Sequence, residues 1–186
     1  MRAKSLLGVL AALLLALSVG CSHKNANNVD VKANVSQALD NAGYKDIKID
    51  VNNDKELVTL TGDVKTQEDK DKVESLAKQN ATGYVVSNEV GIRPEGVESQ
   101  AKSIDKNVDA AIEKDFKAVL IANRMDNQHI KFAAKNGVLT LKGKVDNGAT
   151  REKAEKLAAS VPDVQQVVNE LDVKRGKAQP KENPGS

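Results

Sequence analysis

One segment of this chain recurs almost unchanged 81 residues further along. Leu57-Val-Thr-Leu-Thr-Gly-Asp-Val64 returns as Val138-Leu-Thr-Leu-Lys-Gly-Lys-Val145, and the same register continues without a gap through Ile92 and Val173. Self-similarity at a fixed displacement is typical of tandem repeats. The sequence therefore predicts one small module used twice, and the function has to be one that such a module can perform.

Each copy carries the same succession of apolar patterns. In the first copy, helical spacing from Val31 to Ala42 is followed by strand-like alternation over 47–51 and 58–64. Thr66 with Asp69 resembles a capping box that opens a second helix, whose inward stripe lies at 73–77, and a last strand at 84–92 completes the module. The second copy repeats this order with helical patterns at 104–116 and 154–161 and strands at 130–132, 139–145 and 167–173.

The order α-β-β-α-β predicts an α+β fold. A hairpin followed by a helical crossover gives a three-stranded mixed sheet with both helices on one face. The other face is left open, and its predicted residues differ between the copies. They are Thr59, Thr61 and Asp63 in the first and Thr140, Lys142 and Lys144 in the second.

A glycine and an asparagine recur in both modules on the helix-covered face of the strands. Gly62 and Gly143 could let a ligand approach the backbone, but a glycine here more often admits a bulge or a packed neighbour. Asn88 and Asn169 could contact a ligand, but a buried amide more often satisfies nearby backbone groups. We predict structural roles for all four.

The beginning of the chain has the pattern of an export signal. Arg2 and Lys4 precede an apolar run over 6–19, which is shorter than the ~20 residues of a membrane-spanning helix. The run ends at Cys21, the only cysteine, and resembles a bacterial lipoprotein signal in which this thiol is acylated. Ser22 resembles the residue typical of lipoproteins sent to the outer membrane. The alternative is an ordinary secretory signal with an incidental cysteine.

These features predict the organisation of the chain. We predict a signal peptide at 1–20, a lipoprotein tether at 21–28 and a first module at 29–95. A linker at 96–103, a second module at 104–174 and a disordered tail at 175–186 follow, because the linker and tail are rich in polar residues, Gly and Pro.

The main difference between the modules is an insertion in the second. The two first helices align at a displacement of 73 residues, so eight extra residues enter before the next strand, within Lys117–Met125. One hypothesis is that an extended helix presents apolar and basic side chains to a lipid surface. The alternative is that these residues cap the core or the contact between modules. The candidate lipid or partner contacts are Phe116, Lys117, Leu120, Ile121, Arg124, Lys142 and Lys144.

Composition argues against several functional classes. Residues 29–92 carry a net charge of −4, and residues 104–173 are neutral. The chain also has only two Phe, two Tyr and no Trp, so nucleic-acid binding is not expected. Neither His23 nor His129 has a nucleophile or ligand cluster around it, so we predict no catalytic site, no metal site and no cofactor. The charge run Glu68–Lys72 is interpreted as a solvated helix face.

The paired strands, together with Val86-Ser-Asn88 and Val167-Val-Asn169, resemble the BON domain family of bacterial osmotically inducible and nodulation proteins. An acylated chain with two such domains is similar to outer-membrane tandem-BON lipoproteins. The resemblance implies a non-enzymatic role in envelope integrity and binding of anionic phospholipid through the second domain.

We therefore predict an envelope lipoprotein, anchored through acylated Cys21 on the periplasmic face of the outer membrane, whose modules bind an envelope component such as anionic phospholipid. The alternative is a periplasmic chaperone-like or osmotic-stress protein that contacts other envelope proteins. Liposome binding by a soluble form separates the two.

Overall fold

In each half of the chain a β-hairpin is followed by a helix and a third, parallel strand. The computed structural model describes residues 30–174. Module 1 contains α1 (Val31–Asn41), β1 (Lys48–Asn52), β2 (Leu57–Val64), α2 (Gln67–Asn80) and β3 (Val85–Ile92). Module 2 contains α3 (Glu98–Ala122), a 3-10 turn (Asp126–Gln128), β4 (Lys131–Lys135), β5 (Val138–Val145), α4 (Gly148–Ala159) and β6 (Gln166–Val173). The predicted α+β fold of two repeated modules is confirmed, whereas the predicted signal peptide, Cys21 with its tether, and the tail lie outside the described residues.

Side chains at the helix starts fix where three of the helices begin. Asp30 accepts a hydrogen bond from the Ala33 amide at α1, and Asn147 accepts one from the Thr150 amide at α4. At α2 the Thr66 hydroxyl accepts from the Asp69 amide at 3.1 Å, as the sequence predicted. Each cap satisfies a backbone donor that the helix itself leaves unpaired.

Both sheets have the predicted mixed topology. The first has the order β1-β2-β3 and the second β4-β5-β6, with an antiparallel pair followed by a parallel pair in each. Alternation along β2 turns Val58, Leu60 and Val64 toward the helices, and Leu139, Leu141 and Val145 do the same in β5. Each module thus has its own apolar core between its sheet and its helices.

The recurring glycines allow a loop backbone to pass close to the middle strand. Gly62 and Gly143 have φ values of +138° and +126°, in a region that L side chains rarely adopt. A Cβ at Gly62 would lie 3.0 Å from the Asp46 carbonyl oxygen, and one at Gly143 would lie 3.1 Å from that of His129. Both glycines therefore serve packing, and the neighbour is the loop before β1 or β4.

The first helix of module 2 is longer at both ends than that of module 1, and the insertion accounts for the extension at its C-terminal end. Helix α3 has 25 residues, whereas α1 has 11. It begins at Glu98, inside the segment that composition marks as a linker, because the helix-breaking residues Pro94 and Gly96 both precede its first turn. At its other end it continues to Ala122, and the chain then turns so that the Met125 amide donates to the Leu120 carbonyl at 2.8 Å.

Candidate functional site

Three large apolar residues in or next to the insertion are core residues. Phe116, Leu120 and Met125 are buried between α3 and the second sheet. Phe116 packs edge-to-face on Phe132, with ring centroids 5.0 Å apart. This burial corrects the predicted contact set, because Phe116 and Leu120 are not available to a membrane or a partner. The extra helical length carries additional core residues, as the alternative interpretation proposed.

The other three candidate residues of the insertion point away from the core. Lys117, Ile121 and Arg124 are exposed, and Ile121 exposes 55% of its surface. Ile104, earlier on the same helix, exposes 60%. Large aliphatic side chains exposed on a long helix beside basic residues are typical of helices that contact a lipid interface. We call the exposed side of α3 with Arg124 the α3 outer face.

Three of the five carboxylates of α3 are turned inward, and this leaves the α3 outer face with more basic than acidic residues. The Asp109 carboxylate accepts hydrogen bonds from the Asn136 amide at 2.9 Å and the Gly137 amide at 3.1 Å. Glu113 accepts from the Ala134 amide at 2.9 Å. Asp105 forms an ion pair with Arg93. The exposed charged residues of α3 and its end are Lys102, Lys106, Lys114, Lys117 and Arg124, with Glu98 and Asp115 as the acidic ones.

The other two predicted lysines lie on the opposite side of module 2. Lys142 and Lys144 project from β5 on the sheet face that the helices do not cover. Lys142 forms an ion pair with Glu170 at 3.1 Å, whereas Lys144 is exposed. The structure thus divides the predicted contacts into two surfaces, and only Lys117, Ile121 and Arg124 lie together on the α3 outer face.

A side-chain amide from module 2 docks on the edge strand of module 1. Gln166 Nε2 donates to the Val86 carbonyl at 2.6 Å, and the Asn88 amide donates to Gln166 Oε1 at 3.1 Å. The Gln166 amide therefore makes the pair of hydrogen bonds that a peptide group of a neighbouring strand would make. An uncovered strand edge invites pairing with other chains, and Gln166 covers this one.

Lys70 is buried against the same edge. Its Nζ donates to the Asn136 carbonyl at 3.3 Å and to Gln165 Oε1 at 3.4 Å, both in module 2. Burial lowers the pKa of Lys70, although carboxylates including Asp105 and Glu74 oppose that shift. The interpretation of Glu68–Lys72 as a solvated face was wrong for this residue. Its position three residues before Val73 places it on the inward stripe of α2, and that spacing was the available sign.

Two modules packed by the same surfaces give an approximate twofold arrangement. The β4–β5 turn and the start of β6 contact the β3 edge, and the β1–β2 turn of module 1 correspondingly faces the β6 edge. On the second side Lys55, in the β1–β2 turn, forms an ion pair with Asp172. Asn136 stands 81 residues after Lys55, and its Nδ2 donates to the Glu89 carbonyl at 2.7 Å, so equivalent turn residues serve both halves of the contact.

The open faces of the two sheets meet at the centre of this arrangement. Leu57, Val138 and Val168 form a separate buried apolar cluster there. Beside them lies a cleft of about 500 Å³, lined by both sheets and including Thr59, Thr140 and Ser87. Ser87 is 1% exposed, and its hydroxyl has no hydrogen-bond partner among residues 30–174. Sequence reasoning missed this contact because it named the open face but not what covers it.

The recurring asparagines fasten each crossover helix to its third strand. Asn88 Nδ2 donates to the Lys70 carbonyl and to Glu74 Oε2, each at 3.1 Å, and Asn169 repeats these bonds with Arg151 and Glu155. Burial alone would raise the pKa of Glu74, but its hydrogen bonds with Lys78 and Asn88 lower it. The predicted structural role of both asparagines is supported.

Metal-ligand clusters and membrane-spanning helices are both absent from the described part of the chain. Between residues 30 and 174, no group of three or more His, Cys, Asp or Glu side chains is arranged to hold a metal ion. Within the same range, none of the helices combines the length and the apolar character needed to cross a membrane.

Comparison with known proteins identifies the family. The BON domain matches residues 27–94 and again 108–175. The chain belongs to the BON domain family. It is 32% identical to the osmotically-inducible protein Y of Escherichia coli (strain K12) over 146 residues, which cover 77% of this chain and 71% of that protein. Family membership and this relative support an osmotic-stress or envelope-associated role.

Solved structures add little to this assignment. CdsD, a structural protein of the type III secretion system of Chlamydia trachomatis, aligns over 78% of this chain and 93% of its own, with 12% identity and a TM-score of 0.33. Its C-terminal domain aligns over 80% of this chain and 100% of its own, with 12% identity and a TM-score of 0.32. TM-scores of this size do not establish a common fold.

Proposed function

We propose that this BON protein is a non-enzymatic envelope protein whose second module rests on anionic phospholipid through the α3 outer face. The observation that carries the proposal is the separation of charge on α3, where Asp105, Asp109 and Glu113 turn inward. Lysines therefore dominate the side that faces solvent. A basic helical face attracts anionic headgroups, and each basic residue near such a surface contributes about 1 kcal/mol.

The exposed aliphatic residues extend the same surface. Ile104 and Ile121 can enter the headgroup region while the neighbouring lysine stems extend their charges toward phosphate. Attachment through acylated Cys21 is part of the proposal, because a tether raises the effective concentration of lipid and permits a weak contact by α3. We place the protein on the periplasmic face of the outer membrane.

Vesicle co-sedimentation tests the role of α3. The chain from residue 21 onward carrying Cys21→Ser, which lacks both the predicted signal peptide and the acylation site, is mixed with phosphatidylglycerol or phosphatidylcholine vesicles. We expect binding to phosphatidylglycerol alone, and we expect it to weaken from 0.1 M to 1 M salt, where the Debye length falls from about 10 Å to about 3 Å. The double variant Lys114→Gln/Lys117→Gln should lose about 2 kcal/mol, or roughly 30-fold in affinity.

The chain offers a matched control. Lys142→Gln/Lys144→Gln removes the same charge from the opposite side of module 2 and should retain binding. Ile121→Ser tests the aliphatic contribution, whereas Leu120→Ser would disturb the core. Equal losses in the two lysine pairs would refute a localised face. Indifference to phosphatidylglycerol, with suppression of aggregation of an unfolded envelope protein, would favour the chaperone-like alternative.

A further inference from the structure

The approximate twofold arrangement of the modules lets one strand edge be compared with its counterpart. In β3 the Val85 amide donates to the Glu56 carbonyl and the Arg93 amide to the Val64 carbonyl, each at 2.7 Å, so odd-numbered residues bond toward β2. The backbone groups of Val86 and Asn88 therefore point outward, where the Gln166 amide meets them.

The same alternation holds in β6. The backbone N–H of Gln166 donates to the Gly137 carbonyl at 3.4 Å, and the backbone N–H of Lys174 donates to the Val145 carbonyl at 2.8 Å. Even-numbered residues of β6 therefore bond toward β5. The Asn169 amide and the Val167 carbonyl consequently point outward, as their counterparts in β3 do. They correspond to the two groups that Gln166 engages on module 1.

On module 2 this pair has no such partner. The residue 81 positions before Gln166 is Val85, which has no side-chain amide and exposes 54% of its surface. Two other outward groups of β6 are covered, since Asn169 Oδ1 accepts from the Leu171 amide at 3.2 Å and Arg151 donates to the Asn169 carbonyl. Among the described residues, the Asn169 amide and Val167 carbonyl remain as the open counterpart of the Gln166 contact.

A groove runs beside this edge. It encloses about 340 Å³ between β6 and the β1–β2 turn, and Val85 and Asn169 both line it. The volume is within the range of ordinary ligand sites. Asp54 and Glu56 also line it, both are exposed, and neither forms an ion pair with another residue in 30–174. The groove thus offers an unpaired peptide-like edge, an apolar side chain and two free carboxylates.

We propose that this groove binds an extended polypeptide segment carrying a basic side chain, which adds to the β6 edge as a short strand. The side-chain amide of Gln166, bound at the β3 edge, shows which groups such an edge binds, namely one donor and one acceptor spaced as in a peptide group. Backbone pairing would supply the affinity, Val85 an apolar contact, and Asp54 with Glu56 the preference for Lys or Arg. The site is distinct from the α3 outer face and does not depend on membrane binding.

Val85→Gln is the decisive variant because it supplies the missing amide. By the module relation, the new side chain should engage the Asn169 amide and the Val167 carbonyl and close the groove. Val85→Leu is the matched control, since it keeps an apolar residue of similar exposure without an amide. Both substitutions are at an exposed position, so both variants should fold.

The probe is the acetylated, amidated peptide Lys-Thr-Val-Thr-Val-Lys, mixed with the same chain from residue 21 onward carrying Cys21→Ser. We expect a dissociation constant below about 1 mM and slower hydrogen exchange at the backbone amide of Asn169. The affinity should be at least about tenfold weaker in Val85→Gln than in Val85→Leu. The same peptide with alternate backbone amides N-methylated should not bind. Without peptide, Val85→Gln alone should already slow exchange at Asn169.

Three results would overturn the proposal. The first is no binding at a peptide concentration of about 1 mM. The second is equal affinity of Val85→Gln and Val85→Leu for the peptide, and the third is equal binding of the N-methylated and unmethylated peptides. The last would mean that side chains alone make the contact. Vesicle binding by the α3 outer face is measured on the same variants and should be unchanged, so the two proposals fail independently.

Discussion

Replacement of Phe116 tests whether the apolar side of the long helix α3 serves the core of module 2. Phe116 is fully buried and packs edge-to-face on Phe132, so Phe116→Ala removes a buried ring and its aromatic contact. Truncations of this kind cost about 3–5 kcal/mol. Ile121→Ala, five residues later on the exposed side, should change stability by less than about 0.5 kcal/mol. The two changes therefore differ several-fold although both remove large apolar side chains from α3.

Hydrogen exchange of the Leu139 and Leu141 amides is the appropriate assay, because both residues belong to the core of module 2 and the readout is local to it. Exchange governed by opening of the module should accelerate by roughly two to three and a half orders of magnitude in Phe116→Ala. It should barely change in Ile121→Ala. Phe116→Leu, which retains apolar volume, should fall between them. Similar exchange in Phe116→Ala and Ile121→Ala would refute the assignment of Phe116 to the core.

Three further substitutions test other contacts. Gln166→Leu removes two hydrogen bonds between the modules, each contributing about 0.5–1.5 kcal/mol, and should lower the urea midpoint of the full chain. The control Gln79→Leu breaks only an exposed hydrogen bond to Ser75 and should leave the midpoint unchanged. Gly143→Ala should cost about 1–3 kcal/mol by thermal unfolding because φ is +126° and the His129 carbonyl is close, whereas Gly148→Ala has open space and should be neutral or stabilising. The Tyr44 hydroxyl donates to Asp69 at 2.9 Å and, together with Thr66, lowers the pKa of Asp69. Tyr44→Phe should therefore raise the pKa of Asp69 in a carboxyl NMR titration. The contribution of this contact to folding stability is full above the unfolded pKa of about 3.9, and it is lost as the pH falls through the lowered pKa of the folded state. An unchanged Asp69 titration in Tyr44→Phe would contradict this assignment.

The sequence was informative about each module and much less so about their contact. Strand alternation and the Thr66 cap depend on neighbouring residues, so local pattern was enough to predict them. The burial of Phe116 and Leu120 was left undecided because an amphipathic helix looks the same whether its apolar stripe meets a core or a membrane. Lys70 was missed because a lysine is rarely buried, and its partners Asn136 and Gln165 lie in the other module.

The relation between the modules could not be read from the repeat, although the repeat determines its form. Similar surfaces favour a mutual contact in which each module offers its turn to the other's strand edge. Gln166 completes one half of this contact, and Val85 at the equivalent position does not complete the other. The facing turns also differ, with residues 53–56 between β1 and β2 and only residues 136–137 between β4 and β5. Because Val85→Gln changes the side chain and leaves the longer turn in place, it measures how much of the difference in ligand access between the two edges comes from that side chain alone.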